Sequence, residues 1–327
     1  MRWLLTAVIF MICAPAWGAG QATLDRGRAT AEAFLAGDMA ETWEDLSPDV
    51  RGLFGSPEGL ETFRGQLTAS FGEEAEILTE RVEPGQGAET YVRSARWTGS
   101  KAPILVELGI VPDGTVVSFT VRPQPVLADS RFLDYQTKTP LRLPFEGEWF
   151  VVWGGRTLEQ NYHAADRAQR FATDLLIYRD GLTHKGDPQV LDSYLCWDQP
   201  ILAPAAGTVA FAVNDLPDNP IGSTDPEHPA GNHVVLDFGN GEFAFLGHMR
   251  EGSVRVQPGT KVAAGEELGR CGNSGNTSEP HLHFHLQTTA DLSDGEGLPA
   301  FFDGYVADGK PVERGEPQGG QYIRPAP

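Results

Sequence analysis

From Pro280 onward the chain alternates strictly, with Leu282, Phe284 and Leu286 in one set of positions and His281, His283 and His285 in the other. Residues two apart share a face of an extended strand, so the pattern specifies a β-strand with an apolar face in a core and three imidazoles on the opposite face. A stretch rich in Gly, Asn and Ser, Gly272 to Ser278, comes just before, and Pro280 stiffens the entry to the strand. The turn therefore sets where the first histidine emerges. Three histidines on one face are more than packing requires. A pair two residues apart suits a metal site in which one ring binds the ion and the other works beside it.

The 327 residues include 38 Gly and 24 Pro, which predicts two compact domains rich in turns and strands. A formal net charge of -20, without Lys/Arg clusters, argues against nucleic acid or an anionic membrane surface as a partner. Residues 1–20 have the layout of a secretory signal: Arg2, an apolar run from Trp3 to Ile12, then small residues, with cleavage expected between Ala16 and Gln21. The run is too short for a membrane span, so the mature protein is expected to have none and to be periplasmic or secreted. Cys13 raises the alternative of a lipid anchor, which the bulky Ile12 before it disfavours. In an exported chain Cys196 and Cys271 are either a disulfide or two buried thiols, and their spacing does not decide between these.

Between Ala22 and Phe71 apolar residues recur at helical spacing, which predicts two or three amphipathic helices. Strands are predicted at 76–82, 89–97, 104–111 and 115–121, the last two joined by the turn Pro112-Asp113-Gly114. Helices followed by an antiparallel sheet make residues 21–122 an α+β domain, in which Tyr91, Arg93 and Trp97 read as packing and surface. The Pro-containing stretch 123–140 reads as a linker. Residues 141–303 read as a second domain of short strands, mainly antiparallel, and 304–327 as a Gly/Pro-rich surface tail. Within the second domain Ile201 to Val209 and Val256 to Val262 form a quasi-repeat of tight strand corners.

The segment from Leu141 to Gln287 resembles the LytM or lysostaphin type of zinc metallopeptidase, the M23 family, whose members mostly cut peptide bridges of bacterial cell walls. The resemblance rests on ordered pieces: Ala203-Pro204 with Gly207-Thr208-Val209, Gly231 to Asp237, Gly247-His248-Met249, Val256 to Gly275, and His281-Leu282-His283-Phe284. It implies a mainly antiparallel fold with a duplicated hybrid motif and a zinc cofactor, with peptidoglycan stems or cross-bridges as partners. It also implies His283 as a metal ligand and His281 and His248 as catalytic imidazoles. The two remaining ligands, a His and an Asp usually a few residues apart, fall on His163 and Asp174, which are eleven positions apart here. Ala164 to Gln169 is accordingly read as a loop insertion. Phe245 stands where relatives often carry an aromatic residue and reads as packing. The first domain faintly resembles cystatin-like or nuclear-transport-factor-like modules.

The chemistry of the side chains points the same way. Two imidazoles and a carboxylate are the donor set of a catalytic zinc, which keeps one position open. The chain has no His-Glu-x-x-His helix motif, so proton transfer falls to imidazoles. His285 is expected beside the site rather than as a ligand, His233 as structural, and His184 and His228 as solvated. The long loops 214–230 and 179–199 are expected to wall a cleft. The expected function is zinc-dependent hydrolysis of peptidoglycan cross-bridges. A non-catalytic wall-binding or hydrolase-activating scaffold of the same fold is the rival, and a secreted peptidase acting on ordinary proteins is a second.

Overall fold

Ser-Pro pairs divide the first stretch of the chain into helices. Ser47 and Ser56 accept the backbone N–H groups of Val50 and Gly59 on their hydroxyl oxygens, and a proline follows each at the first helical position. The computed structural model describes residues 17–85 and 87–327, which divide into two units between Gln124 and Pro125. The expected signal segment lies outside the described residues except for its last four, which begin the first helix.

The first unit has four helices, α1 (Trp17–Ala36), α2 (Met39–Asp45), α3 (Pro48–Phe54) and α4 (Pro57–Phe71). They are followed by four antiparallel strands in the order β1-β2-β3-β4: Glu74–Glu83, Glu89–Trp97, Ile104–Ile110 and Val116–Pro123. The Pro112-Asp113-Gly114 turn forms as expected, with Gly114 at φ 90° and the Asp113 carboxylate accepting the Thr115 N–H at 2.9 Å. Phe34, Leu60, Tyr91, Ile104 and Leu108 fill the space between helices and sheet. α1 lies close against the sheet at Gly27, where a Cβ would lie 2.2 Å from the Tyr91 ring. Tyr91, Arg93 and Trp97 are all buried, and none is a surface residue. A guanidinium tolerates this only when paired, and Arg93 binds both Glu74 oxygens and lies 3.7 Å from Glu80.

The second unit is built of short strands between glycine and proline corners. In chain order they are β5 (Trp149–Trp153), β6 (Thr173–Leu176), β7 (Pro200–Leu202), β8 (Gly207–Val213), β9 (Asn232–Asp237), β10 (Phe243–Met249) and β11 (Lys261–Val262). There follow β12 (Glu267–Arg270), β13 (Leu282–Gln287), β14 (Gly297–Leu298), β15 (Phe302–Ala307), β16 (Lys310–Gly315) and β17 (Tyr322–Pro325). All pairings within these strands are antiparallel. The large sheet runs β11-β8-β9-β10-β13-β6-β5-β17-β15-β16, with β14 also on β13, and β12 pairs with β7. The two halves of the quasi-repeat fold together, since Val262 pairs with Gly207 and Glu267 with Leu202. The histidine-bearing strand β13 lies mid-sheet between β10 and β6, with every residue buried. Its apolar face, Leu282, Phe284 and Leu286, is fully buried in the main core.

Two boundaries differ from expectation. The stretch 125–140 is not a free linker, because it satisfies a buried carboxylate of the second unit. Glu242, with no exposed surface, accepts the Tyr135 hydroxyl at 2.9 Å and the Lys138 and Thr139 backbone N–H groups at 2.6 and 3.0 Å. Nor is 304–327 a surface tail. Asp308-Gly309, both at positive φ, turn a hairpin between β15 and β16. β17 then pairs with both β15 and β5 and places Ile323 in the core with no exposed surface.

Candidate metal centre

Strand register brings together two of the expected ligands. His283 on β13 stands directly opposite Asp174 on β6, and their side chains meet with Nδ1 to Oδ1 at 2.8 Å. His163 arrives from a single 3-10 turn, Tyr162–Ala165, and its Nε2 lies 3.6 Å from the other oxygen of Asp174. The eleven-residue spacing is closed by Asn161, whose amide Nδ2 donates to Ala172 O at 2.9 Å and Gly155 O at 3.1 Å. Both ends of the insertion are thus held, with Ala164 buried and Ala165 to Arg167 exposed. One donor atom from each of His163, Asp174 and His283 lies within 4.8 Å of the others, and all three residues are buried. Tetrahedral donors about 2.1 Å from an ion are about 3.4 Å apart, so small rotamer adjustments suffice for these three to share zinc.

Hydrogen-bond direction tests the fit more sharply. With its amide N–H groups occupied by two carbonyls, Asn161 presents Oδ1 to His163 Nδ1 at 2.9 Å, so that nitrogen carries the proton. The lone pair of His163 is then on Nε2, the atom facing Asp174. His163 therefore presents an acceptor to a carboxylate, an arrangement that a cation relieves.

The other two expected residues lie next to this group. His248, near the end of β10, occupies the left-handed region at φ 60°, where the register between β10 and β9 slips between Leu246 and Met249. Its Nδ1 donates to the Ser274 carbonyl at 2.9 Å, which leaves Nε2 bare. Ser274 is itself locked, since its hydroxyl donates to Met249 O at 2.6 Å and accepts the Asn232 N–H at 2.8 Å. A Cβ at Gly231, φ 58°, would lie 2.0 Å from Ser274 O, so only glycine lets the chain pass there. His281 donates Nδ1–H to Glu279 O at 2.9 Å and places Nε2 3.6 Å from Asp174 Oδ1. The His248 and His281 ring centroids are 4.7 Å apart.

Electrostatics separate these imidazoles. Burial pushes His248 well below the usual histidine range, with the neighbouring His281 and His283 adding to the effect. Burial also acts on His281, but the Asp174 carboxylate outweighs it and the net shift is upward. Burial lowers His163 to about 4 despite Asp174. Burial opposes ionisation of Asp174, yet it is held well below the usual carboxylate range, with the charges of His163 and His281 outweighing burial.

Residues 192–295 match the family model for peptidase family M23. The matched stretch lies within the second unit, which is similar to this family. The matched residues include His248, His281 and His283, whereas His163 and Asp174 precede them and are joined to the group by the geometry above. The chain is similar to peptidoglycan DD-endopeptidase ShyA of Vibrio cholerae serotype O1. The two are 40% identical over 60 residues, which are 18% of this chain and 14% of that protein. It is also similar to cell division protein DipM of Caulobacter vibrioides, 28% identical over 95 residues, 29% of this chain and 14% of that one. The matches thus span 14% of either relative's length. A solved structure of the catalytic domain of the antimicrobial peptidase lysostaphin from Staphylococcus simulans is 18% identical, with a TM-score of 0.28, covering 46% of this chain and 86% of that one.

The second unit has a cleft of about 300 Å³ above His163, His248 and His283. Its walls are Tyr162, Ala165, Asp166, Gln169, Pro229-Ala230, Asn276 and Leu292. Of the two loops expected to form those walls, 214–230 contributes only its last two residues to this cavity, and 179–199 contributes none. The first loop instead braces the turn before β13. Asn219 donates to Gly275 O at 2.6 Å, and Asp218 accepts the Asn273 N–H at 2.7 Å. The second loop carries Cys196, which is bonded to Cys271, and this answers the question left open by their spacing. His285 lies beside the ligand set, His233 lines the cleft, His184 packs on Tyr194 and His228 is exposed. Sequence reading missed Asn161, Ser274 and Gln287. Gln287 falls on the alternation His281, His283, His285 and could have been found by extending it one step.

Proposed function

We propose that this protein is a zinc-dependent endopeptidase that hydrolyses peptide cross-bridges of peptidoglycan in the periplasm or outside the cell. The observation that carries the reading is the convergence of His163 and His283 on the two oxygens of Asp174, with His248 and His281 beside them. Two imidazoles and one carboxylate are the donor set of catalytic rather than structural zinc sites. Zinc held there would supply a Lewis acid that makes water ionisable near neutral pH and polarises a carbonyl. His248, whose Nε2 is bare, is placed to take up a proton from attacking water. His281 holds a proton more readily and is suited to donate a hydrogen bond to the developing oxyanion or a proton to the leaving amine. The cell-wall substrate is supported by the peptidoglycan activity in the name of the Vibrio relative.

The M23 scaffold without catalysis is the competing reading, and the presence of all five residues speaks against it. Purified protein should contain close to one equivalent of zinc. It should also release cross-link fragments from sacculi, identified by mass spectrometry and abolished by a chelator. Zinc-loaded protein that binds sacculi without releasing fragments would establish the scaffold. Protein that takes up no zinc would sink the metal reading.

A further inference from the structure

We propose that His285 and Gln287 form a buried relay that holds His283 in the tautomer with its proton on Nε2 and its lone pair on Nδ1, so the metal site is set before an ion arrives. The inference rests on the zinc reading for its purpose, though not for its geometry. The chain of direction begins at Gln287, which has no exposed surface. Its amide Nε2 lies 3.0 Å from Thr289 O and 2.6 Å from Asp291 O. Both are carbonyl oxygens, so flipping the amide would set oxygen against oxygen. Oε1 therefore faces His285 Nε2, at 3.3 Å, and that nitrogen must carry a proton.

His285 then has its lone pair on Nδ1, which lies 2.9 Å from His283 Nε2. His283 donates across that contact, and its own lone pair falls on Nδ1, 2.8 Å from Asp174 Oδ1. Two acceptors face each other at the end of the relay, and the repulsion is relieved by a metal ion between them or by a second proton on Nδ1, which the ion must displace. The intermediate ring has no freedom to turn away. Phe245 stacks on His285 at 4.6 Å between centroids and 10° between planes, and His285 is 1% exposed. Packing closes the far end too, since a Cβ at Gly295 would lie 2.4 Å from the Gln287 amide carbon. His285 and Gln287 are positioning residues: they act on the ligand and do not reach the reacting atoms.

Long-range proton–nitrogen NMR of zinc-stripped, nitrogen-15-labelled protein reads the tautomers directly, and competition with a chromophoric chelator reads zinc affinity. Wild type should show His283 protonated on Nε2 without metal. His285→Phe keeps the stack on Phe245 but cannot accept. It should show a mixed His283 tautomer and bind zinc roughly 10- to 100-fold more weakly. His285→Gln restores an acceptor toward His283 and a donor toward Gln287, and should recover most of the affinity. The relay is overturned if stripped wild type carries the His283 proton on Nδ1, or if His285→Phe matches wild type in both tautomer and affinity. Should His285→Phe not fold, the wild-type spectrum and His285→Gln decide. Wild type that binds no zinc but shows the stated tautomer would defeat the zinc reading and leave the relay standing.

Discussion

His281 and His283 are two residues apart on one strand face, yet their partners give them different tasks. His283 Nδ1 is against Asp174 and its other nitrogen is held by His285, whereas His281 is anchored through Nδ1 to a carbonyl and keeps Nε2 toward the cleft group. His283→Ala is expected to lose both zinc and activity. His281→Ala should keep near-stoichiometric zinc and its melting temperature while turnover falls by roughly a hundredfold or more, as for loss of a positioned acid or oxyanion donor. Metal analysis alongside kinetics checks this, and the reverse pattern of zinc loss would refute the assignment. The same residues make the zinc-free protein acid-sensitive. His163 has a folded pKa of about 4 against 6.5 unfolded, so the unfolded chain binds more protons between those values. The stability it contributes is complete above pH 6.5 and is lost as the pH falls toward 4. His248 and His285, also pushed down by burial, act in the same direction. His281, raised, contributes stability below 6.5 that is lost as the pH climbs through its higher value. Three shifts outweigh one, so melting temperature measured in chelator should fall on acidification across this window; a flat profile would contradict the buried, neutral assignment.

At the scale of elements, β17 shows how much a short terminal strand contributes. Ile323 is fully buried, and β17 bridges β5 to the β15–β16 hairpin. Removing most of its side chain should cost about 3 kcal/mol, as for other large-to-small core changes. Denaturant unfolding of Ile323→Ala measures it, and a change under about 0.5 kcal/mol would mean that the strand is peripheral. β5 in turn pairs with β6, the strand that presents Asp174. Stability and site geometry are thus connected through neighbouring strands. The bulge in β10 has a different role: it forfeits regular pairing near His248, and Ser274 holds the displaced backbone and ring in place.

Across the whole molecule, the Cys196–Cys271 disulfide ties the 179–199 loop to the segment entering the turn before β13. With the two cysteines separated by 75 positions in sequence, chain entropy alone gives a contribution of about 4 kcal/mol. Cys196→Ser should lower stability by a similar amount, and oxidised mature protein unfolded without reductant should titrate no free thiol. Two free thiols would refute the bond. Among the described residues, no helix is long and apolar enough to cross a membrane.

Alternation after Pro280, turn signals and the spacing of His248, His281 and His283 were sufficient for the α+β order of the two units and for the histidine-bearing strand. These are local properties, because the two-residue period of a strand and the conformational demands of glycine and proline act over a few neighbouring positions. Other features depended on contacts far apart in the chain. Spacing alone did not show that Asn161 closes the insertion before Asp174, that 125–140 serves Glu242, or that 304–327 completes the sheet. The direction of each imidazole proton was also beyond local pattern. It is set by which buried amide and which carbonyl oxygens meet, and only the folded chain brings those groups within hydrogen-bonding distance.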